Sequence, residues 1–216
     1  MISLIVILAL SYLAGSVPTA IMMGHLILKD DIRNHGSKNA GATNVFRVMG
    51  WKPALVVFLI DAGKGVLAVL LISQIRVDVL ALQPSTVQVL AGAMAMVGHI
   101  WTVFAGFKGG KGVGTALGVF LALVPEAALI ALATWILMVW LTRIVSVASI
   151  VAALVFGCTL IVQKFLLDVP IPMPIVIVGV ALATLIVVKH RSNIQRLLKG
   201  EENKFGSSKG KKGANA

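Results

Sequence analysis

Long stretches without charge alternate with short polar segments along the whole chain. Residues 1–28 and 79–107 contain no Asp, Glu, Lys or Arg. A helix needs about 20 consecutive apolar residues to cross a bilayer, so each of these stretches is long enough to span one. The pattern predicts an all-α membrane protein with seven transmembrane helices. We expect the spans at residues 2–28, 54–75, 80–104, 113–124, 127–142, 144–163 and 171–189.

The basic residues fall almost entirely on one side of this arrangement. One set of loops comprises residues 29–53, 105–112, 143 and the tail with the adjoining Lys189. These loops contain sixteen of the nineteen Lys and Arg residues, whereas the opposite loops contain Arg76 and Lys164 only. Because cytoplasmic loops are enriched in Lys and Arg, the N-terminus is predicted to lie outside and the C-terminus in the cytoplasm.

Residues 113–142 admit a second interpretation, a single helix kinked at Pro125, which would give six spans. That version would put eight basic residues inside and ten outside, against the charge rule. Seven spans leave a short fourth helix of about 12 residues, or roughly 18 Å, which cannot cross a hydrocarbon core of about 30 Å. We therefore expect its N-terminus to begin below the membrane surface and to carry the preceding loop into a depression.

Composition agrees with a single membrane domain. Only 12% of the residues are charged and 58% are hydrophobic, whereas a soluble domain carries roughly 25% charged residues. The net charge of +11 follows from the cytoplasmic loops, so no nucleic-acid partner is expected. Residues 1–202 are predicted to form one transmembrane domain and residues 203–216 a disordered basic tail. The single cysteine, Cys158, excludes an internal disulfide and a cysteine metal cluster.

Two cytoplasmic segments offer groups that suit a phosphorylated ligand. Residues 31–47 combine hydroxyl, amide and basic side chains, although an ordinary hydrophilic loop has a similar composition. Residues 106–115 are rich in glycine and lysine and run directly into the short fourth helix. Glycines let the backbone approach a ligand, and a helix N-terminus attracts anions, so an anion site is favoured over a flexible turn. The segment is not a Walker A loop, because Gly112 follows Lys111 where Ser or Thr is required.

A third cytoplasmic segment, residues 190–202, follows the last span. Its polar residues Asn193, Arg196 and Lys199 recur at helical spacing, which predicts a short interfacial helix or else a basic membrane flank. Within the second span, Asp61 and Lys64 are three residues apart and are expected to pair and face the bundle interior. The sequence leaves open whether this pair is structural or contacts substrate.

Taken in order, these segments resemble the three motifs of the bacterial membrane glycerol-3-phosphate acyltransferases that use acyl phosphate as donor. Residues 36–47 match Gly-Ser-x-Asn-x-Gly-Ala-Thr-Asn-x-x-Arg. Residues 98–115 match Gly-His-x-Phe-Pro-Val-Phe followed by Phe-Lys-Gly-Gly-Lys-Gly-Val-Ala-Thr, apart from Trp101, Thr102 and Gly114. Residues 190–198 match His-Arg-x-Asn-Ile-x-Arg-Leu-Leu and precede a Glu at position 202. The resemblance extends from about residue 10 to residue 203.

The resemblance implies transfer of a fatty acyl group from acyl phosphate to the 1-hydroxyl of glycerol 3-phosphate at the bacterial cytoplasmic (inner) membrane. The products are lysophosphatidic acid and phosphate, and this is the first acylation in phospholipid synthesis. No metal, cofactor or obligate protein partner is expected. The candidate catalytic residues are Ser37, Arg47, His190 and Asn193. The candidate substrate-binding residues are Asn39, Asn44, Lys108, Gly109, Gly110, Lys111, Gly112 and Ser146.

Three questions stay open at this level. The proton of the attacking hydroxyl could pass to His190 or to the phosphate of the donor, and the two phosphates are not assigned to pockets. A small transporter is a rival function, supported by the intramembrane Asp61 and Lys64. A metal-dependent phosphotransferase is disfavoured because the eight acidic residues are scattered along the chain.

Overall fold

The computed structural model describes residues 1–204, which form helices and connecting loops without any strand. Residues 205–216, most of the predicted tail, lie outside the described residues. Three short 3-10 turns accompany ten α-helices in the described part. The α-helices are α1 Ile2–Ser16, α2 Thr19–Leu28, α3 Ala42–Met49, α4 Trp51–Leu70, α5 Pro84–Ile100, α6 Val113–Leu123, α7 Pro125–Thr142, α8 Val145–Phe165, α9 Met173–Lys189 and α10 Arg191–Leu198.

The prediction of an all-α membrane protein is confirmed. Five helical regions are long and apolar enough to cross a bilayer: Ile2–Leu28, Trp51–Gln74, Pro84–Ala105, Pro125–Thr142 and Val145–Phe165. The helix α9 reaches the same length only together with α10, from which it is bent by 49°. The apolar helix α6 has 11 residues, in the place of the predicted short fourth span. Seven crossings and the orientation of the termini stay predictions.

The first predicted span, residues 2–28, coincides with the apolar helical region Ile2–Leu28, which consists of two helices. Pro18 has no N–H to donate to the preceding turn, and its ring clashes with the carbonyl four residues back, so α1 ends at Ser16 and α2 begins at Thr19. The third helix differs from its prediction, because it begins at Pro84 rather than at residue 80. Proline suits the first turn of a helix, where its missing N–H costs no hydrogen bond.

Small residues allow the helices to approach closely, as is common in membrane bundles. A Cβ atom added to Gly15 of α1 would lie 2.0 Å from the Ala95 carbonyl oxygen of α5. A Cβ atom added to Gly118 of α6 would lie 1.9 Å from the Ala62 carbonyl oxygen of α4. These contacts pack α1 on α5 and α6 on α4, which places the N-terminus of α6 near the middle of α4.

The 11-residue length of α6 has a local cause at each end. Gly112, directly before the helix, has a left-handed backbone conformation with φ +84°, and Pro125 starts the next helix two residues after Leu123. The first loop also contains an unpredicted helix, α3, which lies beside the N-terminus of α4. Together α3, α6 and α10 gather the polar segments at one end of the bundle.

Candidate active site

A cavity of about 710 Å³ opens among α3, α4 and the helices α6 to α10. Its two parts differ in chemistry. The polar end is lined by Ser37, Asn39, Asn44, Arg47, Lys111, Ser146, His190, Asn193, Arg196 and Glu202, and Asp61 and His99 also border the cavity. The apolar arm is lined by Phe58, Phe120, Ala128, Ala131, Leu132, Trp135, Ala152, Ala153, Phe156 and Ala183.

The three polar segments predicted to carry chemistry meet at this one polar end. Nine of the twelve candidate residues line the cavity: Ser37, Asn39, Asn44, Arg47, Lys111, Gly112, Ser146, His190 and Asn193. The other three are placed differently. Lys108 is exposed on the surface, and Gly109 and Gly110 lie behind the cavity wall against α5.

Gly109 and Gly110 are bonded to the end of α5. The Gly109 N–H donates to the Ile100 carbonyl and the Gly110 N–H to the His99 carbonyl, each at 3.1 Å. A Cβ atom at Gly109 would lie 2.0 Å from the His99 carbonyl oxygen, so only glycine fits. The amides of this pair are therefore occupied within the protein, and the groups that the segment presents to the cavity are Lys111 and the N-terminus of α6.

Asn44 holds the loop that carries Ser37. Its Oδ1 accepts from the Ser37 N–H at 2.8 Å, and its Nδ2 donates to the carbonyls of Ile32 and His35 at 3.1 and 3.0 Å. The side chain is 1% exposed. With both ends of its amide bonded to backbone, Asn44 fixes the position of Ser37 on the cavity wall.

A chain of hydrogen bonds crosses the polar end from the glycine-rich segment to α8. The Lys111 Nζ donates to Asn193 Oδ1, and the Asn193 Nδ2 donates to Glu202 Oε1 at 2.7 Å. Glu202 also accepts from Ser146 Oγ at 3.0 Å and from Arg196 Nε at 2.7 Å. One carboxylate thus joins α10 to α8 and, through Asn193, to Lys111.

The surroundings shift the pKa values of the groups at the polar end. The pKa of Lys111 is lowered to about 8, mainly by burial and also by the positive charges of Arg196, Lys189 and Arg47, while Glu202 acts in the opposite direction. Burial also tends to raise the pKa of Glu202, but its hydrogen bonds outweigh this effect and leave the pKa lowered. The polar end therefore has more positive than negative charge, which suits a phosphate group.

His190 is 3% exposed and has a defined tautomer. Its Nδ1 lies 2.8 Å from the Ile186 carbonyl oxygen. Because a carbonyl can only accept, Nδ1 carries the proton and Nε2 is left as an acceptor. Burial, followed by the charge of Lys111, lowers the pKa of His190 to about 4, so the imidazole is neutral near pH 7.

Two residues at the polar end, Arg196 and Glu202, were not among the candidates from the sequence. Both were visible in the third segment, and an acidic residue in a predominantly basic tail was the available signal. What the sequence did not show is that Glu202 reaches Ser146, 56 positions earlier in the chain.

The expected pairing of Asp61 and Lys64 inside the bundle is confirmed, with Nζ and Oδ1 2.6 Å apart. Within residues 1–204, no three His, Cys, Asp or Glu side chains are grouped as a metal ion would require.

Comparison with known proteins identifies relatives over nearly the whole chain. Residues 5–200 match the family model described as glycerol-3-phosphate acyltransferase. A glycerol-3-phosphate acyltransferase of Chlorobium luteolum is 42% identical, covering 96% of this chain and 100% of the relative. One from Chlorobium phaeobacteroides is also 42% identical, with 94% and 97% covered. The fold is similar to the crystal structure of PlsY (YgiH), an integral membrane glycerol 3-phosphate acyltransferase in its glycerol 3-phosphate form. That similarity has a TM-score of 0.81 and 36% identity over 94% of this chain and 96% of that one.

Proposed function

We propose the reaction on one premise: the chain belongs to the glycerol-3-phosphate acyltransferase family. In our proposal it transfers a fatty acyl group from acyl phosphate to the 1-hydroxyl of glycerol 3-phosphate. The hydroxyl oxygen attacks the acyl carbon, the bond from that carbon to the phosphate oxygen breaks, and lysophosphatidic acid and inorganic phosphate are released. The observation that carries the proposal is the junction of a cationic polar end with an apolar arm in one cavity.

The apolar arm suits a fatty acyl chain. Alanines on α7, α8 and α9 leave space that larger side chains would fill, and the Phe120 and Phe156 rings pack together with centroids 4.4 Å apart. Ser149 also lines the cavity beside these residues, and its hydroxyl accepts a hydrogen bond from the Trp135 indole at 3.1 Å. Burial of methylene groups here would supply about 0.8 kcal/mol each.

The polar end suits the phosphates of the two substrates. Lys111, Arg47 and Arg196 come from three separate segments, and both arginines are close enough to affect the pKa of Lys111. The N-terminus of α6 adds backbone N–H groups that lack partners in the first turn. Gly109 and Gly110 would support Lys111 from behind, and exposed Lys108 would act on the substrates only at longer range.

The hydroxyl groups at the polar end have separate roles in this proposal. Ser37, held by Asn44, would donate to the oxyanion that develops on the acyl carbonyl. Ser146 is already bonded to Glu202 and would contact a phosphate from α8. Asn39 lies on the same wall and would add a neutral donor. Transition-state stabilisation by such fixed donors, together with alignment of the substrates, would supply most of the rate enhancement.

His190 would orient the attacking hydroxyl rather than remove its proton. Its Nε2 is an acceptor, so it can hold the hydroxyl hydrogen, and Asn193 beside it keeps the polar end closed. A group with a pKa of about 4 is a weak general base near neutral pH. The second pKa of a phosphate ester is about 6, so the oxygen of the donor phosphate is the better final acceptor of the proton.

We propose that the polar end faces the cytoplasm, in a seven-span arrangement with residues 1–202 as one domain. The support is the charge distribution, with sixteen of nineteen basic residues on the side that carries all three polar segments. Phosphorylated substrates are then met at the surface while the acyl chain stays within the bilayer. The expected location is the bacterial inner membrane.

One assay tests the donor. Purified protein is incubated with labelled glycerol 3-phosphate and either acyl phosphate, acyl-CoA or an acyl carrier protein thioester, in the presence and absence of EDTA. We expect lysophosphatidic acid from acyl phosphate alone, unchanged by chelation and by Cys158→Ser. Product formed readily from acyl-CoA, or none from acyl phosphate, would refute the donor. Accumulation of unchanged substrate in proteoliposomes would favour the transporter.

Cysteine labelling tests the orientation. Single cysteines at Lys38, Lys111 and Asp168 are introduced in a Cys158→Ser background and exposed to an impermeant thiol reagent outside intact cells. We expect labelling at position 168 and protection at positions 38 and 111, both of which become accessible after permeabilisation. Labelling of position 38 or 111 from outside would reverse the orientation.

A further inference from the structure

A second buried polar cluster lies behind the glycine-rich segment, and the proposed reaction does not use it. It consists of Thr19, Asp61, Lys64 and His99, which we call the Asp61 cluster. Asp61 Oδ1 accepts from Lys64 Nζ at 2.6 Å and from Thr19 Oγ1 at 3.1 Å, and it lies 3.6 Å from His99 Nδ1. Asp61 is 4% and Lys64 5% exposed, so the cluster is largely buried, although Asp61 and His99 also border the cavity.

The charged groups of the Asp61 cluster have partners within the protein. Lys64 Nζ donates to Asp61 and also to the Val17 carbonyl at 2.6 Å. Val17 lies at the break between α1 and α2, where Pro18 interrupts the helix and leaves carbonyls in need of donors. The cluster therefore ties the broken first span to α4, which argues against a pair held open for a transported solute.

His99 connects the Asp61 cluster to the glycine-rich segment. Its backbone carbonyl accepts the Gly110 N–H at 3.1 Å. Its ring lies against the same glycine, because a Cβ atom at Gly110 would be 2.2 Å from His99 Nε2. The Nδ1 side of the imidazole thus faces Asp61, and the Nε2 side contacts Gly110, the residue directly before Lys111.

Two further bonds hold the same break against the end of α5. Thr102 Oγ1 donates to the Ser16 carbonyl, and Tyr12 Oη donates to the Trp101 carbonyl at 2.7 Å. The path from the broken first span through Asp61 and His99 to Gly110 is therefore continuous. Every step is a direct contact, and the charged groups in the path are buried.

We propose that the Asp61 cluster is a positioning element that holds Lys111 in the geometry required for phosphate binding. Asp61 orients the His99 ring. The ring and the carbonyl of His99 hold Gly110 in place, and the position of Gly110 determines the direction in which the Lys111 side chain points. The cluster acts through Lys111. Asp61 and His99 also border the cavity, and combining His99→Gln with Lys111→Ala separates this positioning role from a direct contact with phosphate. The inference rests on the proposed role of Lys111 as a phosphate ligand.

The test compares variants by two measurements on detergent-purified protein: the Kd for inorganic phosphate from calorimetry and the Tm. The first variant, His99→Gln, leaves Asp61 paired with Lys64 and Thr19. The second, Asp61→Leu with Lys64→Met, replaces the buried pair by apolar side chains of similar size, a change that proteins often tolerate. Lys111→Ala measures the full loss. Glu126→Leu with Gln163→Leu is the matched control, because it removes another hydrogen-bonded polar pair, 3.1 Å apart, between α7 and α8, of which Gln163 is buried.

We expect both cluster variants to weaken phosphate binding by about 10-fold or more, the change that corresponds to the loss of one charge-assisted hydrogen bond. The control pair should leave the Kd unchanged. Combined with Lys111→Ala, His99→Gln should add no further loss, because both changes remove the same contact. In steady-state kinetics, both variants should raise KM for a phosphorylated substrate more than they lower kcat.

Two outcomes would overturn the inference in distinguishable ways. If Lys111→Ala weakens phosphate binding and the folded His99→Gln variant does not, the cluster does not position Lys111. If Lys111→Ala itself leaves the Kd unchanged, the proposed phosphate site fails and the positioning role fails with it. Should the double variant at 61 and 64 not fold, His99→Gln decides the question alone.

Discussion

The polar end and the apolar arm of the cavity are built by opposite means. The polar end depends on a few directional bonds between segments far apart in the chain, such as that from Ser146 to Glu202. The apolar arm depends on which side chains are small, and its alanines on α7 and α8 contribute space rather than contacts. The polar end is therefore defined by specific hydrogen-bond partners, and the apolar arm by the shape of the space that small side chains leave.

This difference predicts how each part responds to substitution. Removing one partner from a buried hydrogen-bonded network leaves another group unsatisfied, so effects at the polar end should be large and abrupt. Filling part of an apolar space changes the buried area in proportion, so effects in the arm should be graded and depend on acyl-chain length. Three substitutions rank these expectations from the largest effect to the smallest.

The largest effect is expected at Glu202. Its carboxylate accepts from Ser146, Asn193 and Arg196, whereas the amide of Glu202→Gln has one oxygen and leaves at least one donor unpaired. Hydrogen bonds to a charged group contribute about 1.5–3 kcal/mol each, so kcat/KM should fall roughly 100-fold or more. Steady-state kinetics with acyl phosphate measure the change.

The neighbouring Glu201 provides the control for that experiment. It is exposed and lies outside the cavity wall. Glu201→Gln makes the same chemical change one position away and should leave kcat/KM within about twofold, as is usual for surface substitutions. Equal losses in both variants would contradict a specific role for the Glu202 network.

An intermediate effect is expected from the titration of Lys111. A lysine binds phosphate only when protonated, and burial lowers the pKa of Lys111 to about 8. In the free enzyme, kcat/KM should therefore be constant below that pH and fall about tenfold per unit above it. In Lys111→Arg the guanidinium stays charged, so the alkaline decline should move to higher pH.

Exposed Lys108 tests whether the decline belongs to Lys111. It lies in the same glycine-rich segment but on the surface. Lys108→Arg should leave the pH profile of kcat/KM as it is in the unaltered protein. A decline that stays near pH 8 in Lys111→Arg would assign it to another group.

The smallest and most graded effect is expected in the apolar arm. Ala152 lies on the wall of the arm and is 9% exposed. Ala152→Phe should shorten the space for the acyl chain, so each methylene that no longer fits costs about 0.8 kcal/mol, or about fourfold in kcat/KM. Competition between acyl phosphates of different length measures the shift toward shorter chains.

Leu154 is the control on the same helix. It is 56% exposed on the outer face of α8. Leu154→Phe should leave the preference for chain length unchanged. If Ala152→Phe instead lowers activity equally for every chain length, the substitution has disturbed the polar end and the arm does not select by length.

The sequence by itself determined the features that depend on residues close together in the chain, such as apolar length and the spacing of charged residues. Apolar length predicted the helices and the short α6, and the spacing of three residues predicted the pairing of Asp61 with Lys64. The break at Pro18 was also local, and its signal was present but passed over within a long apolar stretch. The resemblance of the three segments placed nine of twelve candidates on one cavity.

Only the tertiary structure decided which groups have already been taken by protein partners. The amides of Gly109 and Gly110 look free in the sequence, yet they bond to the end of α5. Asn44 looks like a substrate contact, yet its amide is bonded to the backbone of its own loop. Glu202 meets Ser146 only because the first turn of α8 lies beside the segment that follows α10. Local pattern reports what each residue can do, whereas the packing of helices distant in sequence determines which partner it meets.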